Sequence, residues 1–266
     1  MSAVLSQPED AILLRHDAEG VATLTLNRPA QFNALSMPML EALDAALTDI
    51  SNDRSVRVLV IVGAGKAFCA GHDLKEMRGN YTLAFEQRLF RLAGKVMLRL
   101  TELPQPVIAR VHGIATAAGC QLVSMCDLAV AADVARFAVS GINVGLFCTT
   151  PAVGLSRNMG RKEAFEMLVT GDFIDAAEAR RRGLVNRVVP LEQLDDEVAR
   201  LAAAICAKSP VAVALGKQAF YRQLEQGLGA AYQLAAEAMA CNMMSEDAAE
   251  GIDAFMAKRP PAWKGR

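Results

Sequence analysis

Twice in this chain an apolar strand runs to glycine and then, a few residues on, into the start of a helix. The first instance is VRVLVIVGAGKAFCAGHDLKEM, from Val56 to Met77; the second is PVIARVHGIATAAGCQL, from Pro106 to Leu122. A strand without polar alternation is buried on both faces, which calls for layers of structure on either side of a largely parallel sheet. The repeat therefore predicts an α/β fold.

The flanking segments fit that reading. AILLRH and VATLTLN are strand candidates separated by a turn at Asp17–Gly20. Residues 36–53 predict a helix, with Ser36 as N-cap and Met39, Leu40, Leu43, Leu47 and Ile50 at helical spacing. A second helix is expected over about 81–103, ending before Pro104, and DLAVAAD and RFAV are further short strands. After about Thr150 the chain becomes Ala-rich helix, expected over roughly 161–170, 175–182, 191–207, 210–227, 229–244 and 246–257, interrupted by GLVNRVVP. No Pro-, Gly- or Ser-rich linker intervenes. The expected organisation is an α/β core over residues 1–190 and a helical region over 191–266 belonging to the same unit. Pro260 and Pro261 are expected to end the last helix, with Trp263 docking the tail.

Composition narrows the class. Apolar residues make up 53% of the 266, enough for a sizeable core, and the formal charge of −1 argues against a nucleic-acid partner, which would show as a basic stripe. Cys69, Cys120, Cys126, Cys148, Cys206 and Cys241 form no C-x-x-C pair and no metal-ligand spacing, so they read as reduced, packed thiols. MSAVLSQPED does not read as a signal or transit peptide, and no run of about twenty apolar residues could cross a membrane, so a cytoplasmic protein is expected.

The chemistry points to the two junctions, AFCAGHDL (67–74) and GIATAAGCQL (113–122). Backbone N–H groups at a helix start lack intrahelical acceptors and lie at the positive end of the helix dipole. Two of them converging on one point would hold an oxyanion. Small residues let a substrate oxygen approach the main chain, although they also serve tight helix–strand packing, and spacing alone leaves both readings open.

Together, LNRPAQFNAL, KAFCAGHDLKEM, VHGIATAAGCQLVSMCDLAVA and GLVNRVV resemble the signature segments of the crotonase (enoyl-CoA hydratase/isomerase) superfamily, in order and over nearly the whole chain. The similarity is greatest to its enoyl-CoA hydratase domain-containing branch. The resemblance implies a spiral of β-β-α units with C-terminal helices for trimer formation, a homotrimer or hexamer, and an acyl-CoA thioester as substrate. Coenzyme A would arrive as part of that substrate, with no other cofactor and no metal. The resemblance also implies an oxyanion hole formed by the N–H groups of His72 and Ala118. Contacts to the substrate would come from Ala34, Phe68, Ala70, Gly71, Asp73 and Leu74, the adenine and pantetheine contacts running along 68–74 and near Asn33, Ala34 and Leu35. Two glutamates of the family's hydratases fall at Gln121 and Gly141, so both acid–base carboxylates are missing.

Several residues could stand in. The His72 side chain is a possible base, though it reads more readily as facing the coenzyme. Asp73 reads as a helix cap and His112 as a core residue. The resemblance implies that Glu76 and Glu86 lie on or near the helical stretch lining the pocket, though each reads more readily as a solvent-facing carboxylate. Cys148, in the loop bordering the implied acyl pocket, lacks an evident base. Gln121 can orient water but cannot exchange a proton at neutral pH. Arg28, Lys66, Lys258 or Arg259 could meet the coenzyme phosphates. The function expected is enolate stabilisation on an acyl-CoA, in the manner of an enoyl-CoA hydratase or isomerase without efficient hydration. A non-catalytic acyl-CoA binder is the alternative. RNA binding would need a basic patch that the sequence lacks.

Overall fold

The computed structural model describes residues 11–266, so the reading of the first ten residues lies outside it. The chain begins with β1 (Leu13–Ala18), β2 (Val21–Leu26) and α1 (Met37–Asn52). It continues through β3 (Val58–Gly63), β4 (Ala67–Cys69), α2 (Leu74–Gly79) and α3 (Leu83–Glu102). Next come β5 (Val107–Val111), β6 (Ile114–Thr116), α4 (Ala118–Met125), β7 (Leu128–Ala132), β8 (Arg136–Ala138) and α5 (Thr149–Asn158). The C-terminal part comprises α6 (Arg161–Thr170), β9 (Ile174–Asp175), α7 (Ala176–Arg181), β10 (Arg187–Val189), α8 (Leu194–Cys206), α9 (Pro210–Leu224), α10 (Leu228–Met243) and α11 (Glu246–Met256).

The strands form two sheets. Six strands run in the order β1-β2-β3-β5-β7-β10, and four in the order β4-β6-β8-β9. Each strand pair from β3 to β8 gives its first member to the large sheet and its second to the small one, followed by helix. This is the spiral of β-β-α units. Within the large sheet all pairings are parallel except β1 with β2.

The unbroken apolar strands have the burial their sequence requires. Val58 and Val60 of β3 pack with Leu194, Val198 and Ala202 of α8, while Leu59 and Ile61 face the main core on the other side. Successive strand residues point to opposite faces, so both faces must be apolar. The helix expected from Ser36 forms with that serine's side chain accepting from Met39 N–H, and Met39, Leu40, Leu43, Leu47 and Ile50 are all buried.

Two local expectations are corrected. Cys148–Thr150 is no open loop, because Cys148 is the N-cap of α5. The last helix stops at Met256, before the prolines, where Lys258 takes a positive φ of 53°. Trp263 nevertheless docks the tail, its Nε1–H donating to Ala207 O at 2.8 Å. Among the described residues no single helix is long and apolar enough to cross a membrane.

Candidate active site

The two junctions meet because the strands that lead into them are neighbours. β4 and β6 pair in parallel, Ala67 with Ile114 and Cys69 with Ala115. Parallel strands about 4.8 Å apart deliver their following residues to the same edge. Residues 70–73 therefore emerge beside residues 117–119. Gly71, at φ +96°, is so close that a Cβ there would lie 2.8 Å from Ala117 Cβ and 3.2 Å from Ala118 N. A Cβ on Gly119 would collide with Cys69 O. Glycine at both positions is what allows the first turn of α4 to press against the strand beside it.

Ala118 is buried at the first position of α4, and Ala117 before it holds φ 50° and ψ −121°, a conformation alanine rarely adopts. On the other side, Leu35 N–H donates to Gly71 O at 2.7 Å and Ala70 N–H to Phe32 O at 3.0 Å. Among the described residues neither His72 N–H nor Ala118 N–H has a hydrogen-bond acceptor. Two adjacent free donors of this kind suit a carbonyl oxygen that gathers negative charge.

The His72 ring lies under this edge. Its Nδ1–H donates to Leu35 O at 3.2 Å, Nε2 is sealed from solvent without a partner, and the ring meets Phe90 edge-on at 5.3 Å. Burial pulls its pKa below the ordinary value, against the Leu35 hydrogen bond, so the neutral form is favoured.

The remaining candidate residues divide. Asp73 caps α2, its Oδ1 accepting from Lys75 and Glu76 N–H and its Oδ2 from Arg28 at 3.0 Å. Burial opposes ionisation, but these donors outweigh it and hold Asp73 below the usual carboxylate range. Arg28 also donates to Ala34 O, so it is committed to this loop. Phe68 and Asn33 are fully buried, which leaves Phe68 only its backbone for a ligand. Asn33 Nδ2 instead donates to the carbonyls of Ala64, Ala67 and Phe68, tying the β3–β4 turn in place. Ala34 is buried, Ala70 half-buried and Leu74 exposed. Lys66, Lys258 and Arg259 are exposed, with Arg259 paired to Glu250.

Glu76 does not face solvent as expected: its Oε2 accepts from Met37 N–H, at the start of α1. His112, half-buried, donates from Nε2 to Gly65 O at 2.9 Å. Burial pushes the Cys148 thiol up, away from a nucleophilic role.

Gln121 is buried on α4 with Oε1 unpartnered. Gly141 lies in the 3₁₀ turn Ser140–Val144, where a Cβ would meet Cys148 Sγ and Leu146 O, each at 2.7 Å. Neither position carries a carboxylate.

Glu86 also departs from the solvent-facing expectation. It lines a cavity of about 530 Å³ between α2, α3 and the segment Val144–Leu146, with Oε2 sealed and unpartnered. Burial raises its pKa. Phe90, which touches His72, lines the same cavity. The family resemblance makes Glu86 a possible stand-in, but the sequence favours a solvent-facing carboxylate.

Residues 16–266 match the family model described as enoyl-CoA hydratase/isomerase. The mitochondrial enoyl-CoA hydratase domain-containing protein 3 of Xenopus laevis is 47% identical over 244 residues, covering 92% of this chain and 83% of that protein. A crystal structure of an enoyl-CoA hydratase from Mycobacterium smegmatis superposes with a TM-score of 0.94 at 59% identity, over 96% of this chain and 99% of that one. The human enoyl coenzyme A hydratase domain-containing protein 3 superposes at 0.93 with 43% identity, over 95% and 100%. The cytoplasmic expectation is corrected by these names: the Xenopus protein and its namesakes from rat, mouse, human and zebrafish are all called mitochondrial.

Proposed function

The chain belongs to the enoyl-CoA hydratase/isomerase family and has the crotonase fold, and from that premise we propose that it binds an acyl-CoA thioester and holds the carbonyl oxygen between the N–H groups of His72 and Ala118. The observation that carries the reading is the contact of Gly71 with Ala117 and Ala118, which sets two acceptor-free N–H groups at one sheet edge. Proton loss at C2 then leaves an enolate whose oxygen these donors stabilise. One donor of this kind is worth roughly 10²–10³ in rate. Coenzyme A enters as part of the substrate, and no other cofactor is proposed.

Gln121 and Gly141 shape the chemistry by what they lack. Hydration by a pair of carboxylates is not open to them, since an amide does not exchange protons at neutral pH and glycine has no side chain. The same two residues favour a second reading, a non-catalytic acyl-CoA binder, and turnover of any acyl- or enoyl-CoA separates the two.

Assembly follows from the surface. Leu228, Tyr232, Met244 and Phe255 of the C-terminal helices are exposed, Met244 and Phe255 at 85% each. Large apolar residues left exposed on successive helices support burial against other copies of the chain, in a homotrimer or hexamer. Sedimentation at micromolar concentration tests this, and a monomer refutes it.

The thioester reading is tested by calorimetry with acetyl-CoA and crotonyl-CoA. Ala118→Val places two methyl groups where the oxygen must approach and should weaken binding at least about tenfold, a loss of about 1.4 kcal/mol. Ala230→Val on the exposed face of α10 should leave it unchanged. Equal affinity for wild type and Ala118→Val would remove the site.

A further inference from the structure

The cavity lined by Phe90, whose ring meets that of His72, contains a carboxylate with no partner. Leu83, Glu86 and Phe90 occupy one face of α3, at i, i+3 and i+7, and all three line the cavity. Opposite them stand Leu74 and Met77 of α2, with Val144 and Leu146 closing the side. Oε2 of Glu86 has no hydrogen-bond partner among the described residues and no solvent contact. The other charged residue in the lining, Arg78, lies over the Tyr81 ring at 4.9 Å and forms no ion pair with Glu86. Tyr81 also lines the cavity, and His72, whose pKa burial lowers, packs against Phe90. A carboxylate kept bare in an apolar cavity weakens the fold, and such groups concentrate where protons are moved.

We propose that Glu86 is the catalytic acid–base residue of this site and moves a proton within the bound acyl chain, converting a 3-enoyl thioester to the conjugated 2-enoyl thioester. This assignment rests on the thioester reading above. Phe90 bridges the two ends of the site: its ring touches His72, and Glu86 lies on the next turn, a Cβ separation of about 5–6 Å on a helix. A carbonyl oxygen held at the His72 N–H therefore leaves the following acyl carbons running along Phe90 towards Glu86.

The step balances on one carboxylate. Glu86 takes a proton from C2, and the C–H electron pair moves into the thioester carbonyl, whose oxygen carries the charge between the two N–H groups. The charge then returns. C2=C3 forms, the C3=C4 pair takes the same proton from Glu86 at C4, and Glu86 is again a carboxylate. No water is added and nothing is oxidised or reduced. Addition of water through a pair of carboxylates would need a partner at Gln121 or Gly141, and neither supplies one.

The probe is 3-hexenoyl-CoA, followed by the rise of conjugated-enoyl absorbance. A parallel arm follows exchange of the C2 protons of hexanoyl-CoA in D₂O by NMR, and calorimetry with hexanoyl-CoA measures binding. Wild type should isomerise and exchange. Glu86→Gln should lose at least roughly 10²-fold in kcat, with binding kept within about threefold, and Glu86→Asp should recover part of it. The wild-type pH profile should rise with ionisation of a carboxyl titrating above the usual range, and that limb should vanish in Glu86→Gln. A folded Glu86→Gln as active as wild type overturns the assignment. So does a wild type that binds hexanoyl-CoA without isomerising or exchanging, and that outcome leaves the thioester reading standing. Failure to bind any of these thioesters removes both.

Discussion

Gly71 lies against the start of α4 so closely that a methyl group on it would sit 3.2 Å from the nitrogen of Ala118 and 2.8 Å from the Cβ of Ala117. Gly71 and Ala118 are 47 positions apart in the chain, and the parallel pairing of β4 with β6 is what brings them together. Two conditions meet at Gly71. Its φ of +96° is costly for any other residue, and the space that a side chain would need is already filled.

Gly71→Ala should therefore destabilise the fold by about 1–3 kcal/mol, the range for a residue forced into a sparsely populated backbone region. It should also push the two junctions apart. Denaturant titration reads the first effect, and calorimetry with acetyl-CoA the second. A variant with unchanged stability and affinity would show that the junctions tolerate separation.

The missing carboxylates cannot simply be restored. The structure gives Gly141 no positive φ, so backbone conformation is not the obstacle. The obstacle is space: a Cβ there meets Cys148 Sγ and the Leu146 carbonyl at 2.7 Å each. Wild type should hydrate crotonyl-CoA at least roughly 10³-fold more slowly than a two-glutamate relative, within the range of one acid–base contribution. Gln121→Glu should raise that rate modestly. Adding Gly141→Glu should lower the melting temperature without further gain, and Cys148→Ala should restore only part of the loss, because the Leu146 carbonyl still blocks the Cβ. Wild-type hydration at the rate of such a relative would show that another residue performs it.

The sequence made some of this legible and not the rest, for identifiable reasons. The stripe Leu40, Leu43, Leu47 and Ile50 carries its helix in its own spacing, and the apolar run in β3 carries burial on both faces. The junctions were visible because glycine and alanine cluster where backbone comes close to backbone. Glu86 was legible as a possible stand-in near the pocket, but its carboxylate reads from sequence as solvent-facing, which the structure overturns. Helical periodicity tells which residues share a face, but not that α2 and Val144–Leu146 close over it. Glu76 finds its partner 39 positions away at Met37, and Asn33 reaches three carbonyls more than 30 positions on. Contacts of that separation depend on topology, and no local pattern encodes them. The crowding of Gly141 by Cys148 is of the same kind.

His72 makes the fold sensitive to acid. Burial lowers its pKa in the native state, opposed by the hydrogen bond to Leu35, whereas the unfolded chain takes up a proton near the ordinary value of 6.5. A depressed folded pKa contributes stability that is full above the unfolded pKa and is lost as pH falls through the folded one. Each unit between the two values contributes about 1.4 kcal/mol. The melting temperature should therefore fall as pH drops below 6.5, and His72→Gln should flatten part of that slope. His112, also lowered chiefly by burial, adds the same sign, so His72→Gln with His112→Gln should flatten it further. An unchanged slope in the double variant would assign the acid sensitivity to other groups.

Glu86 predicts the opposite sign. Its folded pKa is raised by burial, so the group favours the fold below the unfolded carboxylate pKa, and that contribution is lost as pH rises through the folded value. Glu86→Gln removes the cost of a bare charge and should raise the melting temperature at pH 7 but not at pH 4. Gain of stability with loss of proton transfer is the signature of a residue kept for function. A melting temperature that does not rise at pH 7 would mean that the carboxylate is solvated in solution.

The second junction is held from outside by Lys217. Its Nζ, buried on α9, donates to Leu100 O at 2.7 Å, Gln105 O at 2.9 Å and Asp127 Oδ2 at 2.6 Å. Asp127 also accepts from Tyr221 OH and from Val107 N–H, the first residue of β5. One carboxylate thus fixes the C-terminal helices to the strand that leads towards Ala118. Removing one partner of a buried pair strands the other charge, at a cost of about 3–5 kcal/mol. Lys217→Met should lose that much in urea titration. Lys217→Met with Asp127→Asn should recover part of it, because the amide oxygen can still accept from Val107 while no charge remains buried. Two losses that simply add would show that the pair is not coupled, and that α9 is held by its packing alone.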